Sequence, residues 1–428
     1  MHVRYLLALL LLITTPRYVQ AGDFLVVNDF NWGRTLLYSY PLTDGMSASV
    51  VLGQPDMVTS NTVDNRKGIV TASSEDAPDA VTFSGGGLLV SDGGYNRLLE
   101  YSGALHSGMA AQTVLGQSRF TQGSPSSRLT AKSLTGPGGI AFDATSGTLF
   151  VADASGSRLL GFPPAHPPDL FANGQKAAVV LGRRNFRSDI PYGVCGGIHC
   201  APACWGRASR GFYSGNASAH TNATSMCNPT QLAFDSDGHL WVVDQGNSRV
   251  LRFSPPFANG KAADLVVGQE DMNHNQCATT AYGLCIPEDL KFDTNGTLWV
   301  TDWMNSRVLE YVPPFYTGMP ATVALGVPDF ATSYTGYTAG FPSCRENTLT
   351  QTAMCDPINL AFDTAGNLLV SDFDQNRVLA FAPPFRNGGQ SAFLVIGEPD
   401  FVTNTGCGRP SATSFCNPTG ITIKPGSN

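Results

Sequence analysis

Six times along this chain an aspartate is followed five residues later by an arginine: Asp29 and Arg34, Asp92 and Arg97, Asp153 and Arg158, Asp244 and Arg249, Asp302 and Arg307, Asp372 and Arg377. Carboxylates recurring at one spacing could form a catalytic or metal-binding ring. They could equally accept backbone N–H bonds in a turn while the arginine pairs with them. Catalysis breaks symmetry and this pattern repeats, so a structural role is the expectation. The turns that begin at Asp143, Asp235, Asp293 and Asp363 resemble fragments of calcium loops. None has the full series of oxygen ligands and the closing glutamate, so tight-turn chemistry explains them better.

Sulfur is the second chemical resource, with all ten cysteines after residue 190. Cys277 and Cys285, Cys344 and Cys355, and Cys407 and Cys416 each bracket a loop, the second member standing two residues before a proline. Cys227 has the same position, and its partner is among Cys195, Cys200 and Cys204. The favoured pairing is Cys204–Cys227 with Cys195–Cys200, although sequence alone does not fix connectivity. His199 beside Cys195, Cys200 and Cys204 keeps a zinc site as the rival. Periodic pairing elsewhere favours bridges, each stabilising by about 2–3 kcal/mol.

What positions these residues is a repeat. Blocks opening at Leu232, Leu290 and Leu360 read LAFDSDGHLWVVDQGNSRVLRFSPPF, LKFDTNGTLWVTDWMNSRVLEYVPPF and LAFDTAGNLLVSDFDQNRVLAFAPPF, with weaker copies from Ile140 and Val81. Each is followed by a segment such as LVVGQEDM or LVIGEPDF. Short apolar runs punctuated by Gly, Pro and Asn are strands. Each unit thus holds four, a to d, and four strands repeated around a ring make a propeller. Five units are complete. The sixth is expected to join both ends of the chain, Ile421–Ile423 supplying strand a beside Phe24–Asn28 as strand b. The fold expected is therefore all-β: a six-bladed β-propeller of four-stranded antiparallel blades, its ring closed by the C-terminal strand joining the N-terminal blade.

These units resemble NHL repeats, in which a Pro-led strand, an Asp-Gly turn, a strand ending in Asp and Asn-x-Arg follow in order. The Pro-led strand begins at Pro78, Pro137, Pro229, Pro287, Pro357 and Pro418. The units are longer than the family pattern, with the extra residues between strand d and the next strand a. No RING, B-box or coiled-coil region accompanies them, so the ubiquitin-ligase role of intracellular relatives gains no support. Some secreted propellers of similar blade type, the peptide-amidating lyase among them, are metal-dependent lyases or hydrolases. That resemblance would require histidine ligands around the channel. Here His106, His166, His199, His220, His239 and His274 share no repeat position, and no GxSxG or HExxH motif occurs.

Strand direction places the b–c turns and long d–a insertions on one face. The expected contact residues there are Trp32, Tyr95, Trp303, Met304, Phe373 and Asp374, since loop aromatics are more informative than strand aromatics. Strand a should line the channel, with Gln231, Glu288, Asp289 and Asn359 at its mouth. These could hold a structural cation or ordered water, and no other cofactor is implied.

The first residues read as an export signal: Arg4, an apolar run from Leu6 to Ile13, and small residues at Val19 and Ala21. The domain reading is a signal peptide at 1–21 and one propeller at 22–428. Removing the signal takes away Arg4 and Arg17 and moves the net charge from −7 to −9. An acidic exported chain is a poor candidate for nucleic acid, and the apolar run is too short to span a membrane. Sequons at Asn216, Asn222 and Asn295 are candidate glycan sites. The functional expectation is a secreted, monomeric scaffold binding an extracellular protein, peptide or glycan. A metal-dependent extracellular lyase or hydrolase using the channel is the alternative.

Overall fold

The computed structural model describes residues 23–60, 70–84, 87–126, 128–165, 171–187, 194–195, 198–199, 221–334 and 349–424. It contains six four-stranded antiparallel sheets arranged as the blades of a propeller. Blade 5 is representative. Strand a is Pro287–Phe292, b is Leu298–Asp302, c is Arg307–Tyr311 and d is Val323–Leu325. Strand a shifts register after its proline in blades 2 to 6, because Pro pairs with the strand b aspartate and a bulge follows. Strand d is only three residues long. The glycine after it takes a positive φ, +83° at Gly268 and +89° at Gly326, and a side chain from the next blade packs against it.

The first blade joins both ends of the chain. Strand b, Phe24–Asp29, pairs on one side with strand c, Arg34–Ser39, and on the other with the C-terminal strand Pro418–Lys424. Val27 lies opposite Ile421 and Leu25 opposite Ile423. The closure gives blade 1 the same four strands as the others, so its strand b is not left as an unpaired edge.

Six apolar clusters fill the gaps between neighbouring blades. They arise because alternate residues of each strand face opposite neighbours. Leu290 and Trp241, for example, meet between blades 4 and 5, and Leu360 and Trp299 between blades 5 and 6. The outer edge strands are also capped. A side-chain oxygen in the c–d turn of each blade accepts a strand d N–H of the preceding blade: Ser107 from Val51, Asn173 from Val114, Asn259 from Val180, Thr317 from Val266, Asn387 from Ala324 and, across the closure, Asp44 from Val395. No described helix is long and apolar enough to cross a membrane.

Candidate functional site

The six Asp–Arg pairs are structural clamps. Each carboxylate takes the arginine Nε–H at 2.6–2.9 Å, and all twelve side chains are fully buried. The other carboxylate oxygen accepts a backbone N–H just before strand a: Cys416, Asp76, Thr135, Cys227, Cys285 or Cys355. The guanidinium then reaches two loops. In blade 5, Arg307 Nη1 donates to the Phe330 carbonyl and Nη2 to those of Thr280 and Gly283. One buried pair therefore fixes both ends of the long insertions. The Asp143, Asp235, Asp293 and Asp363 carboxylates accept backbone N–H bonds within their own turns, as tight-turn residues do.

The segment before strand a in turn holds the b–c turn. Phe30 N–H donates to the Asn417 carbonyl, Met304 N–H to Cys285 and Phe373 N–H to Asp356. Disulfides brace the same segment. Cys277–Cys285 and Cys407–Cys416 are formed. Cys227 and Cys355 are disulfide-bonded as well. Their expected partners, Cys204 and Cys344, lie outside the described residues, as do the Cys200 end of Cys195–Cys200, the Asn216 sequon and residues 1–21. Asn222 and Asn295 are exposed on turns.

The b–c turns carry the expected contact residues, and their burial divides them. Trp303, Met304 and Phe373 are half-buried and Asp374 is exposed. Trp32 and Tyr95 are not surface residues: only 1% and 5% of their surfaces are open. Both occupy the third position of the turn, which points under the loops, as Asn247, Asn305 and Gln375 also show. Their rings lie against the clamp guanidinium, Trp32 at 4.7 Å from Arg34 and Tyr95 at 5.1 Å from Arg97. They stabilise the clamp by cation–π contact and are removed from the contact surface.

The first turn position is Phe30, Gly93, Ala154, Gln245, Trp303 and Phe373 in blades 1 to 6. One side of the ring, blades 5, 6 and 1, thus carries three aromatic rings, and Phe30 and Phe373 meet edge-on at 6.3 Å. Blades 2 and 3 present only small residues there. Below them, the four channel residues are all buried. Gln245 Nε2 donates to Glu288 Oε1. Asp289 is committed inside the protein, to Lys291 Nζ at 2.8 Å and to the Leu360 N–H at 2.8 Å. Gly139 leaves the space that Gln231 occupies, since a Cβ there would overlap the Gln231 amide. Asn359 Oδ1 has no hydrogen-bond partner among the described residues.

Among the buried acids with raised carboxyls, Glu288 is a candidate from sequence, whereas Asp79, Glu75 and Asp356 are not. Burial and the Asp289 charge push the Asp79 carboxyl up to about 7. Burial and Asp79 hold Glu288 well above the usual carboxylate range. Burial and Asp92 raise Glu75 to about 8, and its carboxyl meets the Tyr101 hydroxyl and Thr35 hydroxyl at 2.8 Å each. The equivalent residues of the other blades are Leu134, Met226, Leu284, Met354 and Phe415, so aligning the repeats would have exposed Glu75 as the odd one. Asp356 is 3% open and lies beside exposed Asp374. Burial, then Asp374, raises it well above the ordinary value. His199 ends the short strand Ile198–His199, and the other described histidines lie on turns: His239 bonds Asp235, His274 bonds Glu270 and Asp271, and His106 meets the Ser107 carbonyl.

Residues 226–253 match the NHL repeat family. No curated protein matches the chain in sequence. Among solved structures, it is similar to a protein of unknown function from Bacteroides caccae, with 9% identity and a TM-score of 0.47 over 94% of this chain and 99% of that one. It is similar to a putative 6-phosphogluconolactonase from Bacteroides uniformis, with 12% identity and a TM-score of 0.47 over 95% and 100%. A chain of a nidogen/laminin complex gives 13% identity and a TM-score of 0.45 over 94% and 98%. Likeness at this level carries no argument about activity. The matched repeat, set in a closed ring of six four-stranded blades, makes this chain an NHL-type β-propeller.

Proposed function

We propose that the chain is an exported interaction scaffold, led by a signal peptide at residues 1–21, that binds an extracellular protein through its b–c face. The observation that carries this reading is the one-sided mouth. Trp303, Met304, Phe373 and Asp374 stay partly or wholly open while the surrounding turns are fixed by buried clamps and disulfides. Half-open aromatic side chains on pre-ordered turns cost little entropy on binding, which favours recognition. Disulfides suit an oxidising compartment. Glycans at Asn295, and on the other face at Asn222 of blade 4, would direct a partner toward blades 5, 6 and 1.

The test is a pair of variants at opposite ends of blade 5. Purified full-length protein is immobilised and exposed to extracellular fluid, with bound proteins compared between Met304→Glu and Thr294→Glu. Loss of capture with the first alone supports the b–c face. Equal capture by both variants, or loss with the second, would refute it. Stoichiometric zinc or iron in the purified protein would instead favour the metal-dependent lyase or hydrolase.

A further inference from the structure

We propose that the quadrant of the mouth formed by Trp303, Asp356, Phe373 and Asp374 is a receptor site for a basic side chain, arginine or lysine, of the protein partner; this rests on the scaffold reading above. Three independent features converge. The first is an acid pair. Asp356 sits just before strand a of blade 6 and Asp374 in the following b–c turn, with carboxylate oxygens within 4.8 Å of each other. Two carboxyls this close repel unless a proton or a cation lies between them. The neighbouring Cys355 sulfur is engaged in a disulfide, so it is no metal ligand.

The second feature is an unmet hydrogen-bond capacity. Asp356 Oδ1 and Trp303 Nε1 are both shielded from solvent and make no geometrically sound hydrogen bond. The indole edge is near enough to favour the charged carboxyl, yet the oxygen keeps room for a donor. A buried acceptor left in this state costs stability unless a partner completes it.

The third feature is charge and ring chemistry. Asp374 is the sole charged residue in the six b–c turns, so no basic group of those turns competes for the site. The Trp303 indole edge lies near Asp356, Phe373 precedes Asp374 in its turn, and Phe30 meets Phe373 edge-on; aromatic rings next to acids suit an ammonium or guanidinium group. The site is fixed from behind. Asn417 Nδ2 donates to the Phe373 carbonyl, and Asn404 Nδ2 to that of Asp374. A guanidinium, with its planar fork of donors, could meet Asp356 and Asp374 together.

The experiment is calorimetric titration of the full, oxidised protein with Nα-acetyl-arginine N-methylamide, its uncharged citrulline analogue and calcium chloride. The arginine probe should bind, and the citrulline probe should bind at least about tenfold more weakly. Asp374→Asn, an exposed change that leaves the clamps intact, should weaken arginine binding about tenfold. Trp303→Ala should weaken it about fivefold. Equal binding of arginine and citrulline, no effect of Asp374→Asn, or calcium binding without arginine binding would each overturn the site. If the arginine probe fails while Met304→Glu still abolishes partner capture, the basic-group inference falls and the scaffold reading stands. If both fail, both fall.

Discussion

Glu75 gives the sharpest stability prediction. It occupies a place held by Leu, Met or Phe in the other blades, is fully buried, and its carboxyl rises from an ordinary 4.5 to about 8. Between those values the folded protein keeps a proton that the unfolded chain has released. The native state then binds more protons, so stability falls as pH rises through this window. At about 1.4 kcal/mol per tenfold change in proton affinity, the loss approaches about 4 kcal/mol by pH 9. Glu75→Gln keeps an acceptor for the Tyr101 hydroxyl but cannot ionise. Asp79, raised to about 7, and Asp29 and Asp92, each raised to about 6, remain in both proteins and largely cancel from the difference. Urea unfolding of the two proteins between pH 5 and 9 reads it directly. The curves should nearly coincide at pH 5, with the variant about 4 kcal/mol more stable at pH 9. Parallel curves, or a variant less stable at pH 9, would refute the reasoning.

The remaining predictions separate structure from contact. Arg307→Lys loses the fork that holds Asp302 and two loops and should destabilise by about 3–5 kcal/mol in chemical unfolding. Arg252→Lys, at a partly exposed pair with Asp264, should change stability by less than about 1 kcal/mol. Trp32→Ala should cost about 3–5 kcal/mol of stability. Replacing Cys277 and Cys285 with serine opens a loop of eight residues' separation and should cost about 2.5 kcal/mol. Peptide mapping of the unreduced protein checks that bridge independently.

The fold was legible because the repeat states it many times. Six Asp–Arg spacings, six proline-led strands and two incomplete ends together specify the ring, and the pairing of Val27 with Ile421 realises the expected closure. The contact surface was less legible. A sequence shows which residues share a turn, not which turn position points inward. Trp32 and Trp303 look alike in composition, yet Trp32 is third in its turn and lies against Arg34, while Trp303 is first and stays half-open. Asp356 was not legible as a site residue because it comes beside Asp374 only when strand a and the b–c turn of blade 6 pack together. Asp289, a candidate for the channel mouth, proved to be ion-paired with Lys291 two residues away on its own strand.

The most direct test of the central claim, that a basic group of the partner engages the mouth at blades 5 and 6, is hydrogen–deuterium exchange of the full protein saturated with a tri-arginine peptide. The account predicts added protection confined to residues 303–305, 355–356 and 373–375. Protection centred on the a–b turns near Asn295, or no change at saturation, would contradict it.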